Sequence, residues 1–463
     1  GPGQATAAEH QQQVKALEEQ RDALESEVSR RSAGFYGGLR TVTLDAVKEA
    51  IPDDAALVEF AVYRPLVRRV GDVQKSYGEP RYVAYVIRRQ GEVRWQELGD
   101  AAEIDARVNA LREALSDPDR KDVGRLARAV DEKVMQPVRS LLGPSKHLLI
   151  SPDGQLNLVP FAALVDEQGH YLVEAHSITY LTSGRDLLRL QARRESKGGP
   201  VVVADPAFGE PSLVAARSKG PGAGGAARVD YSQIFFGPLP GVREEVRALK
   251  VLLPQASFLT REQATKSALE KLSAPSILHV ATHGFFLQDE QQPTNGRDGE
   301  AEGGAQSKEG TRLARWVAHA DNPLLRSGLA LAGANQSGNG NADGILTALE
   351  AAGLDLWGTK LVVLSACDTG VGEVKVGDGV YGLRRALVLA GAESQVMSLW
   401  AVSDRSTRDL VVGYYQALLR GAGRGEALRQ VQLRMLMDKS RAHPYYWAGF
   451  IQTGEWASLE GRR

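Results

Sequence analysis

Apolar and polar positions follow two different rhythms along this chain. Residues 4 to 32 place Val14, Leu17, Leu24 and Val28 in a background of Gln, Glu, Ala and Arg, at spacings of three, seven and four. That is the stripe of one helix face and predicts a single amphipathic helix, packed on its own domain or against a neighbouring helix. From about 40 to 195 the pattern shifts to short strands: AALVEFAVY (55–63), RYVAYVIRR (81–89), VRWQEL (93–98), HLLIS (147–151) and HSITYL (176–181). Helical spacing fills 103–116 and 119–142, and Ser183 is placed to cap a helix over 184–195. SPDG at 151–154 reads as a turn, since proline fixes one dihedral and glycine accepts a positive one.

After ESKGG (195–199) a regular alternation begins. Strands are expected at PVVVADP, ASFLT, SILHVATHG, KLVVLSAC and SQVMSLW, with helices over 241–253, 264–272, 344–352, 379–391, 404–420 and 424–438. Apolar strands alternating with helices predict an α/β fold with a mostly parallel sheet and helices on both faces. Sites in such sheets lie beyond the carboxyl ends of the strands, where ATHG and SACDTG both fall. Three polar, glycine-rich stretches, at 210–232, 288–312 and 333–344, interrupt the pattern and read as loops.

Composition narrows the classes. A chain of 463 residues, 43% hydrophobic, has material for two or three domains at roughly 150 residues each. Its net charge of -1 argues against direct nucleic-acid binding and against an anionic membrane surface. The absence of a long apolar run and of a signal-peptide pattern makes the cytoplasm the expected compartment. The opening GPGQ reads as the scar of a tag, with the natural chain continuing upstream. One cysteine excludes an internal disulfide and a cysteine-rich zinc site. Neither a metal nor another cofactor is expected. A phosphate-binding reading of GVGEVKVGDG (370–379) fails for want of the Gly-Lys-Ser/Thr ending, and a GxSxG elbow is absent.

That single cysteine carries the chemistry. Cys367 ends one predicted strand and His283 another, each close to glycine. A thiolate near neutral pH needs a base or a positive field, and the oxyanion it creates needs amide donors. If the two strands are neighbours, His283 supplies the base, and the amides of Gly284 and Cys367 form the oxyanion hole. His279, four residues earlier inside ILHVA, ranks second as a structural histidine beneath the site. No carboxylate is assignable as a third member, which leaves a backbone carbonyl to orient the ring.

SILHVATHGFF and KLVVLSACDTGVG, with SPDGQLNLVPFAAL, LPGVREEVRAL, GILTALEAAGLDLWGTK and LVLAGAESQVMSLWAVSD, resemble the CHAT family of caspase-like cysteine peptidases of clan CD, often found behind tetratricopeptide repeats. The resemblance runs from roughly 40 to 455 and implies the caspase-haemoglobinase fold, with Cys367 as nucleophile and His283 as general base. It also implies three parts: residues 1–32 as the end of a truncated helical repeat array that senses an activating partner, a catalytically dead caspase-like half over 33–195, and the active half over 196–463. Where caspases carry glutamine and metacaspases usually aspartate, two residues before the nucleophile, this chain has Ser365. A hydroxyl does not neutralise a buried cation. Asp368, Asp378 and Asp404 are the remaining candidates for acidic pocket walls, and Asp378 and Asp404 also suit helix caps. The expected activity is that of a cysteine endopeptidase, narrowed by loops at 285–327 and 371–378, with self-cleavage at Arg297, Lys308 or Arg312. The resemblance suggests a role in bacterial defence or cell death, with a protein substrate such as a gasdermin-like pore former. The alternative is a non-catalytic caspase-like scaffold that binds a partner.

Overall fold

The computed structural model describes residues 42–66, 77–192, 194–210, 234–286, 323–339, 344–365, 373–375, 379–400 and 402–461, with the backbone alone at 323, 337–339, 373–375 and 379–381. The helix expected over 4–32 and the stretches 211–233 and 287–322, which hold two of the three insertions, lie outside these residues.

Eleven strands form one sheet. Its first group is β1 (Ala55–Tyr63), β2 (Arg81–Arg88), β3 (Arg94–Asp100), β4 (His147–Ser151) and β5 (Ser177–Tyr180). The second is β6 (Val201–Pro206), β7 (Ser257–Arg261), β8 (Ile277–Ala281), and, after a smaller sheet of β9 (Gly284–Phe286), β10 (Ser327–Ala330) and β11 (Ile345–Thr347), the strand β12 (Leu361–Leu364). β13 (Glu373–Lys375) and β14 (Gly379–Tyr381) make a hairpin, and β15 (Ser394–Ser398) and β16 (Phe450–Gly454) complete the set. The order is β3-β2-β1-β4-β5-β16-β15-β12-β8-β6-β7, which puts five strands on each side of β16. Pairing is parallel except at β1–β2, β2–β3 and β15–β16.

The apolar runs explain this layering. β4, β6, β8, β12 and β15 are buried at every position, which requires cover on both faces of the sheet. In β1 the alternation is explicit: Ala56 and Val58 enter the large core with the helices Ala101–Leu115 and Val123–Val134, while Ala55 and Leu57 enter a second core with Val47 of the helix Leu44–Ala50 and with Ile51. No helix among the described residues is long and apolar enough to cross a membrane.

The two groups of strands meet at β5 and β16, where Thr453 pairs with Tyr180. A buried polar chain crosses this seam. His147 Nε2 lies 3.0 Å from Thr179 Oγ1, and Thr179 Oγ1 donates to Gln452 Oε1 at 2.7 Å. The threonine hydroxyl has spent its proton on Gln452, so it accepts from His147, which carries its proton on Nε2. Burial drives the His147 imidazole down to about 4, against smaller opposing effects of Asp54 and Glu455.

Several expected elements differ. The long helix over 119–142 is Val123–Val134 followed by the turn Gln136–Arg139, because Pro137 has no N–H to continue the ladder. The helix over 184–195 shrinks to Asp186–Arg189. The one over 344–352 divides into β11, which pairs with β10, and Ala348–Ala351, which begins at a capping box made by Thr347 and Glu350. The helix over 379–391 starts only at Leu383, after Gly382, so Asp378 is not its cap. Within the stretch 333–344, Ala334–Asn339 form a short helical turn.

Candidate active site

β8 and β12 are neighbours in the sheet. They run parallel, with Leu361 opposite Ile277 and Leu364 opposite Val280, and Ser365 N donates to Val280 O at 2.9 Å. Along the chain His283 follows Val280 by three residues, and Cys367 follows Leu364 by three. Cys367, Asp368 and Asp378 themselves lie outside the described residues.

His283 is held from every side. Thr282 Oγ1 donates to Ala330 O at 2.5 Å, and Ala330 N donates to His283 O at 2.9 Å, which clamps the end of β8 onto β10. The ring Nε2 lies 2.8 Å from Gly237 O. A carbonyl only accepts, so the proton resides on Nε2 and Nδ1 keeps its lone pair for use as a base. The rings of Phe208 and Phe236 lie 5.3 and 5.7 Å from the imidazole and limit its rotation. Asn335 fixes both phenylalanine segments: its Oδ1 accepts from Phe236 N at 2.9 Å, and its Nδ2 donates to Gly209 O at 2.9 Å and Phe236 O at 3.0 Å.

Gly284 opens β9 opposite Leu329. Because the bond from Ala330 N goes to His283 O, this pair is of the non-hydrogen-bonded kind. The Gly284 N–H is therefore left out of the β9–β10 ladder and points to the other side of the strand.

His279 stands apart from this arrangement. It is fully buried in β8, with Nδ1 3.2 Å from Tyr415 Oη and Nε2 2.9 Å from Glu245 Oε1. The last contact is close but poorly aligned, leaving Glu245 Oε1 without a hydrogen bond. The other carboxylate oxygen accepts from Ser365 Oγ at 2.9 Å. Burial, reinforced by Tyr414 and Glu245, holds the Tyr415 phenol far above its ordinary value.

Glu245 is only 2% exposed and, with Ser365 and Thr282, lines a cleft with about 410 Å³ of empty space, part of it open to solvent. Leu239, Val242, Val402 and Phe450 form apolar walls, and Asp404 and Thr407 also line it. Asp404 is the first residue of the helix Asp404–Leu419, whose cap is Ser403. Its carboxylate instead accepts from Gly241 N of the neighbouring helix, at 3.1 Å. Two of the four pocket candidates read from the sequence, Ser365 and Asp404, thus share one cleft. Glu245 was missed, as were Gly237, Asn335 and the two phenylalanines. Glu245 left a signal: it sits with Val242, Val246 and Leu249 on the buried stripe of the helix Pro240–Leu252, where a carboxylate is out of place.

A model of the CHAT domain matches residues 124–455. This chain belongs to the CHAT family. The chain is similar to tetratricopeptide repeat protein 28 of Homo sapiens, 26% identical over a 324-residue alignment that covers 68% of this chain. The Mus musculus protein of that name is 26% identical over 329 residues, again 68% of this chain. The chain spans 12% of the length of these relatives. Among solved structures, a Saccharomyces cerevisiae separase-securin complex aligns over 89% of this chain and 30% of its own, at 8% identity and a TM-score of 0.47. The Arg specific cysteine proteinase gingipain R aligns over 77% of this CHAT chain and 75% of its own, at 9% identity and a TM-score of 0.36.

Proposed function

We propose that this CHAT protein is a cysteine endopeptidase. The observation that supports the reading is the parallel register of β8 and β12, the two strands that His283 and Cys367 follow in the chain. Cys367 attacks the scissile carbonyl, and His283, its Nε2 proton held by Gly237 O, receives the thiol proton on Nδ1. The Gly284 and Cys367 amides hold the oxyanion. His283 then passes its proton to the leaving amine, and water releases the acyl-enzyme. The substrate is a protein, with a gasdermin-like pore former in bacterial defence as the candidate. The activating partner is sensed by an upstream helical repeat array, and residues 33–195 serve as a non-catalytic caspase-like half.

The test is mass-spectrometric profiling of a diverse peptide library beside Cys367→Ala and His283→Gln. Both variants are expected to lose cleavage by at least about a thousandfold, the usual cost of removing a nucleophile or its base. Cleavage that survives Cys367→Ala overturns the reading. Intact-mass analysis of the same samples checks self-cleavage at Arg297, Lys308 or Arg312, with wild-type fragments absent from the Cys367→Ala protein as the expected result.

A further inference from the structure

A cavity with about 1540 Å³ of empty space, part of it open to solvent, straddles the seam between the two groups of strands. His147 and Ser177, paired at the starts of β4 and β5, line it from the first group together with Asp54 and Lys146. Arg420, Gly423 and Glu426 line it from the second, where the helix Asp404–Leu419 ends and the helix Arg424–Met437 begins. Asp404, at the other end of the first of these helices, lines the cleft described above. At about 1.5 Å per residue that helix sets the two hollows roughly 24 Å apart, so the cavity is a separate site.

Its lining holds polar groups that the protein itself does not satisfy. Lys146 and Arg420 are exposed, and neither side chain has a hydrogen bond or ion pair among the described residues. The helix Arg424–Met437 has no side-chain cap: Arg424 N and Gly425 N donate to Ala457 O and Trp456 O, and the Glu426 N–H is left without a described acceptor. Arg429 also lines the cavity but is spent on the carbonyls of Val173 and Glu174, and it lies 3.6 Å from Glu426. Three cations thus stand against the two carboxylates of Asp54 and Glu426. An excess of positive charge at an uncapped helix start favours an anion. Acceptors face the same space. His147, only 7% exposed, gives its Nε2 proton to Thr179, and its Nδ1 lone pair meets no donor among the described residues. A buried acceptor costs stability until a donor reaches it. The Asp54 carboxylate acts on this ring, and the Ser177 hydroxyl, likewise unbonded among the described residues, belongs to the residue paired with it.

We propose that this cavity binds a phosphorylated small molecule that also carries hydroxyl groups, a sugar phosphate or a nucleotide. Lys146, Arg420 and the Glu426 amide give three separate donors, which suit the three terminal oxygens of a phosphoryl group better than the two of a carboxylate. The hydroxyls donate to His147 Nδ1 and Asp54 and exchange hydrogen bonds with Ser177. Lys146 belongs to one group of strands and Arg420 follows a helix of the other, so the bound molecule fastens the two across the seam.

The test needs no turnover. Phosphorus NMR on the whole protein should show ribose 5-phosphate and AMP broadened at about 10 mM, with inorganic phosphate bound about tenfold more weakly for want of hydroxyls. Saturation-transfer NMR should detect no binding of adenosine. Equal affinity for ribose 5-phosphate and AMP identifies a sugar-phosphate site, and about tenfold tighter binding of AMP a nucleotide site; either upholds the inference. Lys146→Gln and Arg420→Gln, both at the surface, should each weaken binding of the phosphate esters by about tenfold with an unchanged circular dichroism spectrum, while Lys439→Gln, an exposed cation outside the lining, should change nothing. Ser177→Ala should weaken ribose 5-phosphate by about threefold and leave inorganic phosphate as it was. Failure of all three phosphates to bind, binding indifferent to both Lys146→Gln and Arg420→Gln, or adenosine bound as well as AMP overturns the inference.

Discussion

A single ring nitrogen fixes the orientation of His283. His283 Nε2 donates its hydrogen bond to Gly237 O, so the imidazole is oriented by the backbone. A main-chain carbonyl is not removed by substitution, so the support must be tested one step away, at Asn335. Its three hydrogen bonds tie Phe236 and Gly209 together beside the ring. Asn335→Ala is expected to lower kcat by about tenfold, the size of one or two lost hydrogen bonds, with KM nearly unchanged, which steady-state kinetics on the best library peptide will show. His283 was legible as a candidate because it follows an apolar strand and precedes a glycine. Gly237 was not, because a backbone carbonyl carries no signature in sequence. Glu245 was legible in principle: it occupies a core position in a helix whose apolar period is otherwise clean.

At the scale of elements, the cleft depends on the close approach of the helices Pro240–Leu252 and Asp404–Leu419. A Cβ added at Gly241 would lie 2.2 Å from Asp404 Cβ, far inside contact distance. Gly241→Ala is therefore expected to part these helix starts and lower cleavage by about tenfold or more while the protein still folds, as circular dichroism alongside the peptide assay will report. Gly454 ends β16 with φ at +80° and would place a Cβ 2.3 Å from Glu393 O, a backbone atom that has little freedom to yield. Gly454→Ala should cost about 2 to 4 kcal/mol in urea denaturation, combining the strained dihedral with the clash. The strands were read well from sequence because buried parallel strands are continuous apolar runs, as LVVL and ILHVA are. Short elements were not. β9 and β10 are three- and four-residue pieces, and β11 was absorbed into a helix because ILTALEAA has helical spacing and only the pairing with β10 reveals its first turn as strand.

For the whole molecule, the continuous sheet is the finding that strand-by-strand reading does not supply. His147, Thr179 and Gln452 form a buried polar chain across the seam between the two groups of strands. The folded imidazole is held down at about 4 by burial, while an unfolded one titrates near 6.5. The unfolded chain therefore takes up the proton first. This contribution is fully present above about pH 6.5 and is lost progressively as pH falls toward 4, reaching roughly 3 kcal/mol. Urea denaturation at pH 7.5 and 4.5 should show wild type losing about 2 to 3 kcal/mol more than His147→Gln, which keeps a donor to Thr179 but does not titrate. Parallel losses in the two proteins would remove His147 from the account.

The central place of β16 has a consequence for synthesis. Ten of the eleven strands leave the ribosome before the strand that occupies the middle of the sheet. Until residues 450–454 emerge, β5 and β15 each present an unpaired backbone row to the cell, the kind of surface that recruits foreign strands. At about 5–20 residues per second the 269 positions between β5 and β16 take some tens of seconds to translate. A nascent chain therefore carries both groups of strands well before it carries the strand that joins them, and a message cut short ahead of β16 yields two sheet pieces with open edges in place of one continuous sheet.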